Sequence, residues 1–315
     1  MIGYAGLTHL GAISSIVTAS KGYQVVGYDP DPVVCQGLNE GNPPFFEPGL
    51  AELLAANQER IRFTHEPTAL EQCNLIVFSL DVPTDSSGRS DLLPLNDIID
   101  SVVQVAAPGT VLVILSQIPP GFTRELGDRI DRRPGGHEFP LFHQVETLVI
   151  GIAVDRASKP ERFMVGCNDP EAMLPEAYGE LLGAFECPVL QMRYESAEVA
   201  KLAVNLFLAS SVTMSNTLAE LCEVIGGDWS EVAPSLKLDK RIGPHAYLSP
   251  GLGLSGGHLE RDLTTVASLA TKWGTDAGAI DACMKNSVHR KDWALELIRS
   301  EILSQRSDAT IGIWG

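Results

Sequence analysis

Six residues near the start of the chain have the spacing of a dinucleotide-binding turn. Gly6 and Gly11 stand five positions apart between an apolar run and a helical stretch, like the outer glycines of a Gly-x-Gly-x-x-Gly pattern. Thr8 replaces the middle glycine, and its hydroxyl could itself donate to a phosphate. Because the first amides of the following helix bind a pyrophosphate, the candidate cofactor-binding residues here are Gly6, Thr8, His9, Leu10 and Gly11.

The next apolar run ends in Asp29, eighteen residues beyond Gly11. An acidic side chain at that point accepts hydrogen bonds from the adenosine ribose of NAD. No Arg or Lys follows directly to bind the 2′-phosphate of NADP, so the sequence predicts NAD. The alternative is a glycine turn in an α/β protein that binds no cofactor.

A lysine and an asparagine further along the chain could act on one substrate oxygen. Lys201 and Asn205 are four residues apart in a helical stretch, which places them on one face of the helix. An ammonium group stabilises a developing alkoxide, and an amide orients a hydroxyl or its bound water. The pair is suited to oxidation of an alcohol, and the alternative is an ordinary solvated helix face.

The elements that must position these groups follow two different patterns. Up to about residue 190, short runs rich in Val, Ile and Leu alternate with helical stretches, as in strands buried on both faces. This pattern predicts an α/β fold with a Rossmann-like doubly wound parallel sheet, followed by an all-α central domain. The predicted strands are Ile2–Ala5, Gln24–Asp29, Leu75–Leu80, Val111–Ser116 and Arg162–Gly166.

The second pattern starts near Tyr194 with a long helical stretch over residues 196–225, which Gly226 and Gly227 end. More helices are expected over 263–272 and 278–304. We therefore expect an NAD-binding domain at residues 1–194 and a helical domain at 195–306. Residues 309–315 are strand-like, so we expect 307–315 to begin a further C-terminal domain that the chain does not contain.

Composition excludes several classes of partner. Forty acidic and 23 basic residues give a net charge of −17, which argues against a general nucleic-acid or anionic membrane surface. We find no signal peptide and no apolar run of the roughly 18–20 residues that a membrane helix needs. Six scattered cysteines without a CxxC pair fit reduced thiols in a cytoplasmic protein.

Several segments resemble, in order, motifs of the UDP-glucose/GDP-mannose dehydrogenase family, over some 260 residues. They are Gly41–Leu50 (the EPGL segment), Pro83-Thr84-Asp85 with Asp91, Pro160–Gly166, Ala197–Asn205, and Asp239–Gly243 with Pro250–Gly253. The resemblance implies NAD-linked oxidation of the C6 alcohol of a nucleotide sugar, in two steps through an aldehyde to an acid. It also implies a homodimer formed through the helix at 196–225 and a third domain that completes the nucleotide site.

The sequence departs from this family where the second oxidation would occur. The family's loop carries a cysteine that forms a thioester, but here residues 256–262 are Gly-Gly-His-Leu-Glu-Arg-Asp, one residue shorter and without cysteine. Ile150 replaces a glutamate implicated in handling the hydrolytic water, while Glu146 is retained, and Gln117 replaces a threonine beside the nicotinamide. We therefore expect a single two-electron step that stops at an aldehyde or ketone.

The resemblance also implies roles for individual residues. Catalysis is expected from Lys201, Asn205, Asp262, Glu146 and His258, further cofactor contacts from Val82 and Gln117, and substrate contacts from Arg241, Gly253, Gly256 and Gly257. A surface salt bridge remains an alternative for Arg241, a structural role for His258 and a backbone cap for Glu146. Two other functions stay open: a β-hydroxyacid dehydrogenase, and a degenerate homologue that only binds NAD or a nucleotide sugar.

Overall fold

The computed structural model describes residues 1–83, 90–134, 139–254, 257–306 and 308–314. Contacts divide the chain into two compact units, Met1–Lys201 and Leu202–Gly315, and the division falls within the long helix that follows Tyr194. The predicted domain boundary, at residue 194, lies at the start of that helix.

The first unit is built around an eight-stranded sheet in the order β3-β2-β1-β4-β5-β6-β7-β8. All neighbouring strands are parallel except β6 and β7. The strands are β1 (Ile2–Ala5), β2 (Val25–Tyr28), β3 (Ile61–Thr64), β4 (Leu75–Phe78), β5 (Val111–Ile114), β6 (Leu141–Gln144), β7 (Phe163–Cys167) and β8 (Val189–Arg193).

Helices cover both faces of this sheet, which explains why β1, β2, β4 and β5 are buried at every position. These helices are α1 (His9–Ser20), α2 (Pro32–Asn39), α3 (Leu50–Ala55), α4 (Leu93–Val103), α5 (Phe122–Asp131), α6 (Ala153–Ser158) and α7 (Glu176–Gly183). The strand order reverses between β1 and β4, and ligands of doubly wound sheets bind at the carboxyl ends of such strands. The predicted Rossmann-like sheet is confirmed.

The second unit is helical in the described residues. It contains most of α8 (Tyr194–Ile225), then α9 (Trp229–Leu238), α10 (Gly257–Trp273), α11 (Gly278–Lys291), α12 (Trp293–Ile298) and a π-helical turn (Arg299–Leu303). As predicted, α8 ends at a glycine with a left-handed backbone, Gly226 (φ +81°). Residues 308–314 pair with no described strand, and Ile313 is 96% exposed there.

Helix α8 differs from expectation in one respect. By length and composition it is apolar enough to cross a membrane, although no continuous apolar run marks it in the sequence. The reason is that small polar residues such as Ser210, Ser211 and Thr213 interrupt the apolar run without adding charge. Only 28% of its most apolar window is buried within the described chain, so much of this apolar surface is exposed.

Candidate active site

The dinucleotide turn between β1 and α1 has no space for side chains at its outer glycines. Gly6 has a left-handed φ of +93°, and a Cβ there would lie 2.8 Å from the backbone nitrogen of Leu80. A Cβ on Gly11 would lie 1.8 Å from the carbonyl oxygen of Gly6. The turn therefore has the tight helix–strand packing that the motif predicts.

Two carboxylates bind the backbone amides of this turn. Asp29, which is 7% exposed, accepts from the amide of Leu7 at 2.7 Å and from that of Asp31 at 3.0 Å. Asp81, which follows β4, accepts from the amide of Leu10 at 3.2 Å. The hydroxyl of Thr8 accepts from the amide of Asp81 at 2.8 Å, so in this structure it serves the protein backbone.

A cleft of about 330 Å³ opens beside Asp29. Proline and leucine or isoleucine side chains line it together with polar groups, as suits an adenine ring and its ribose. The lining includes Asp29, Pro30, Leu80, Pro94, Ile98 and Ser101. The residues present therefore fit the adenosine half of NAD, and Asp29, the predicted ribose contact, lines the cleft. By contrast, the Val82 side chain packs in the apolar core, so a cofactor contact there would come from its backbone.

The first residue of α1, His9, is fixed by a buried glutamate that sequence reasoning did not single out. The Nε2 atom of His9 lies 3.1 Å from Glu47 Oε2, and the imidazole packs against Phe45 at 4.8 Å between ring centroids. Glu47 also accepts from the amides of Gly151 (3.1 Å) and Ala153 (2.7 Å). Burial acts to raise the pKa of Glu47, but these hydrogen bonds hold it below its ordinary value. Glu47 thus joins the dinucleotide turn to the segment that follows Glu146.

Lys201 and Glu146, two predicted catalytic residues, are in direct contact. The Nζ atom of Lys201 donates to the backbone oxygen of Glu146 at 2.8 Å and to its Oε2 atom at 3.1 Å. The other carboxylate oxygen of Glu146 accepts from the amide of Leu148. The Glu146 carboxylate therefore both caps its own backbone, as one alternative suggested, and fixes the Lys201 ammonium.

A small cavity beside Lys201 and Glu146 is also lined by Gln117 and His143. His143 is 3% exposed on β6, and its Nδ1 atom lies 2.9 Å from the carbonyl oxygen of Ile114 on β5. A carbonyl only accepts, so Nδ1 carries the proton. Burial lowers the pKa of His143 to about 4, and the Lys201 charge acts in the same direction. His143 is therefore neutral at physiological pH.

Glu198 ties the start of α8 to the loop that carries Gln117. Its buried carboxylate accepts from the amide of Gly121 (2.6 Å) and from the amide and hydroxyl of Thr123 (2.9 and 2.7 Å). Burial raises the pKa of Glu198, and these hydrogen bonds oppose that rise. The interaction lies one turn before Lys201 along α8, so it restrains the backbone from which Lys201 projects.

In the second unit the structure joins Asn205 to Asp262. The Nδ2 atom of Asn205 donates to Asp262 Oδ2 at 2.6 Å, and Arg261 Nε lies 3.5 Å from Asp262 Oδ1. Asp262 is 1% exposed. A carboxylate held on both oxygens has a fixed orientation, which a proton acceptor at an active site requires.

The predicted substrate residues Arg241 and Gly253 make contacts within the protein. Arg241 is 89% exposed at its side chain and forms an ion pair with Asp239 at 2.7 Å, the alternative stated for it. Gly253 has φ +86°, and a Cβ there would lie 2.5 Å from the carbonyl oxygen of Ser287, so packing against α11 requires a glycine. Gly256 and the side-chain positions of Gly257 and His258 lie outside the described residues.

A doubly wound sheet with a dinucleotide turn at its switch point, followed along the chain by a helical unit, is typical of NAD-binding dehydrogenases. Residues 1–184 match the family model for the NAD binding domain of the UDP-glucose/GDP-mannose dehydrogenase family, and residues 195–287 match its central domain. The chain belongs to the UDP-glucose/GDP-mannose dehydrogenase family. The predicted family and the predicted cofactor, NAD, are thereby confirmed.

Individual relatives agree with this assignment. UDP-glucose 6-dehydrogenase TuaD of Bacillus subtilis is 29% identical over 307 residues, which are 95% of this chain and 66% of that enzyme. UDP-glucose 6-dehydrogenase AglM of Haloferax volcanii is 29% identical over 98% of this chain and 74% of its own length. A UDP-glucose dehydrogenase structure from Pyrobaculum islandicum superposes with a TM-score of 0.84 at 26% identity, covering 96% of this chain and 71% of that one. The chain thus spans about two thirds to three quarters of these relatives.

Proposed function

We propose that this protein uses NAD to oxidise an alcohol of a nucleotide sugar in one two-electron step and releases an aldehyde or ketone. The observation that carries the proposal is the Lys201–Glu146 contact, which keeps an ammonium group in place for an alcohol oxidation. The sequence retains this pair and lacks the cysteine of the second step. The relatives are UDP-glucose 6-dehydrogenases, which makes UDP-glucose the first substrate to test.

Bound NAD would accept the carbinol C–H hydrogen as hydride, and the hydroxyl proton would pass to a base. An ammonium group has three hydrogens, and Glu146 accepts two hydrogen bonds from Lys201, which leaves one hydrogen for the substrate oxygen. Lys201 then stabilises the negative charge that develops on that oxygen. Asn205 lies one helical turn further along α8, and its partner Asp262 is the proposed proton acceptor.

The cysteines of the first unit are poor substitutes for the missing nucleophile. Burial raises the pKa of the thiols of Cys35 and Cys73 to about 11, and it also raises the pKa of Cys167 and Cys187. A thiol attacks as its thiolate, so these side chains are almost unreactive at neutral pH. The six cysteines are unpaired, which fits the proposed cytoplasmic location.

Product analysis tests the single-step proposal. The purified protein is incubated with NAD and UDP-glucose, then with other nucleotide sugars, and NADH is counted against sugar consumed. We expect one NADH per sugar and a product whose mass shifts with a carbonyl-trapping reagent such as hydroxylamine. Two NADH per sugar and a uronic acid would contradict the single step.

A binding-only homologue is the second candidate, and the contact of Asp81 with the amide of Leu10 favours it, because that amide belongs to the expected phosphate site. Nucleotide-sugar binding without NADH formation across a broad panel would support this candidate. The family match counts against a β-hydroxyacid dehydrogenase, and activity with a hydroxyacid but no nucleotide sugar would reinstate it.

We also propose that the protein forms a homodimer through α8. Five large apolar residues on this helix are exposed and recur at the 3.5-residue spacing of a helix–helix seam. They are Val204 (36% exposed), Phe207 (77%), Met214 (59%), Leu221 (52%) and Ile225 (69%). A second copy of the same helix would remove this face from water.

Replacing Phe207 with glutamate is expected to raise the dimer dissociation constant more than about tenfold, because a charge would enter an apolar seam. Sedimentation equilibrium over a range of concentrations measures the change. Val288→Glu is the matched control, since Val288 is 65% exposed on α11 and should not affect dimerisation. A monomeric wild-type protein, or an unchanged dimer in Phe207→Glu, would refute the α8 interface.

A further inference from the structure

The negative charge beside the N-terminus of α1 belongs to a residue outside this helix. Thr8 is the N-cap residue, but its side chain does not cap the helix, and the first turn contains no acidic residue. Helix N-termini carry a partial positive charge and attract anions. In the described chain, the Glu47 carboxylate contacts the His9 side chain in the first turn of α1, whereas the carboxylate that accepts from a backbone amide of this turn belongs to Asp81, after β4.

Asp81 is fixed to this position by two hydrogen bonds. Its Oδ2 atom accepts from the amide of Leu10 at 3.2 Å, and its own amide donates to the Thr8 hydroxyl at 2.8 Å. The residue is exposed, so rotation of its side chain could release the Leu10 amide into solvent. Thr8, where the motif has a glycine, thus supplies the group that holds Asp81 next to the helix.

We propose that Asp81 weakens the binding of NAD. Its carboxylate accepts a hydrogen bond from the Leu10 amide, which the NAD pyrophosphate requires, so the carboxylate must leave before NAD binds. After it leaves, the charge still lies close to the two negative charges of the pyrophosphate. Both effects weaken NAD binding. The proposal depends on NAD binding at this turn, and it does not depend on which sugar the protein oxidises or on how many steps it catalyses.

Asp29 does not play the same role, although it also binds an amide of the turn. It is buried, and each of its oxygens accepts from a different backbone amide, Leu7 and Asp31. It is therefore part of the folded turn. Asp81 is the carboxylate at this turn that can be exchanged for a ligand.

Asp81→Asn tests the proposal because it removes the charge and retains an oxygen that can accept from Leu10. Calorimetric titration without sugar measures the dissociation constant of NAD. We expect it to fall about fivefold or more at low salt, which is the effect of one unit charge a few ångströms away in a solvent-exposed site. The ratio of the wild-type to the variant dissociation constant should fall toward one in about 1 M salt, where the Debye length is about 3 Å.

Two controls separate electrostatics from structure. Adenosine, which lacks the pyrophosphate, should bind both proteins equally. Glu71→Gln removes an exposed carboxylate that precedes β4, at the end of this strand opposite to Asp81, and should leave NAD affinity unchanged. Equal or weaker NAD binding by Asp81→Asn, or an equal gain for adenosine, would overturn the proposal. Because no sugar is present, these outcomes are independent of the product analysis.

Discussion

Replacing Lys201 with methionine is expected to lower kcat for the oxidised nucleotide sugar about a thousandfold, the cost of losing one donor that stabilises a developing oxyanion. Methionine has nearly the length of lysine and no charge. It therefore removes the ammonium without opening a large cavity beside Glu146. The dissociation constant of NAD should change little, because the interaction with the substrate oxygen forms mainly in the transition state. The melting temperature should fall, because Glu146 loses two hydrogen bonds from Lys201.

Steady-state kinetics at saturating NAD measures the effect. Lys285→Met is the matched control, because Lys285 is exposed on α11 and does not belong to the proposed site. Lys201→Arg keeps the charge but replaces a compact donor with a planar fork, so we expect only partial activity. If Lys201→Met keeps a tenth or more of the wild-type kcat, the ammonium does not stabilise the reacting oxygen.

The strands that sequence analysis predicted are those buried on both faces. Ile2–Ala5 and Leu75–Phe78 consist almost entirely of apolar residues because helices cover both sides of the sheet there. The unpredicted strands are not continuous runs of apolar residues. β3 alternates buried and exposed residues at one edge, β8 is mostly exposed at the other, and β6 includes His143 and Gln144. At such positions pairing with a neighbour determines the strand, and local sequence carries little of that information.

The candidate site shows the same division. The glycines of the turn and the pair of Lys201 and Asn205 could be found because their spacing follows from local geometry. Glu47, His143 and Glu198 gain their roles from hydrogen bonds to residues distant in the chain, such as Glu47 with Ala153 and Glu198 with Gly121. Glu47 and Glu198 do lie in the motifs that resemble the family. A buried charge, however, becomes recognisable only when the donors that surround it are known.

Acidification is expected to destabilise the sheet unit through His143. An unfolded histidine has a pKa near 6.5, while burial lowers the pKa of folded His143 to about 4. The unfolded state therefore binds the proton first, and stability that is present above about pH 6.5 is lost as the pH falls toward 4. The complete loss corresponds to roughly 3 kcal/mol, and about 1.4 kcal/mol of it is reached at pH 5.5.

Urea unfolding at pH 7.5 and pH 5.5 tests this prediction, a range that stays above the isoelectric point of about 4.8. His143→Gln provides the comparison, because a glutamine amide can still donate toward the carbonyl of Ile114 but does not titrate. The variant is expected to be less stable at pH 7.5, since its shape differs, yet to lose about 1.4 kcal/mol less than wild type on acidification. Equal losses in the two proteins would mean that His143 is not the titrating group. A neutral imidazole beside Lys201 also adds no second positive charge to the pocket, and His143 stays neutral there at pH 5.5 because its pKa in the folded protein is about 4.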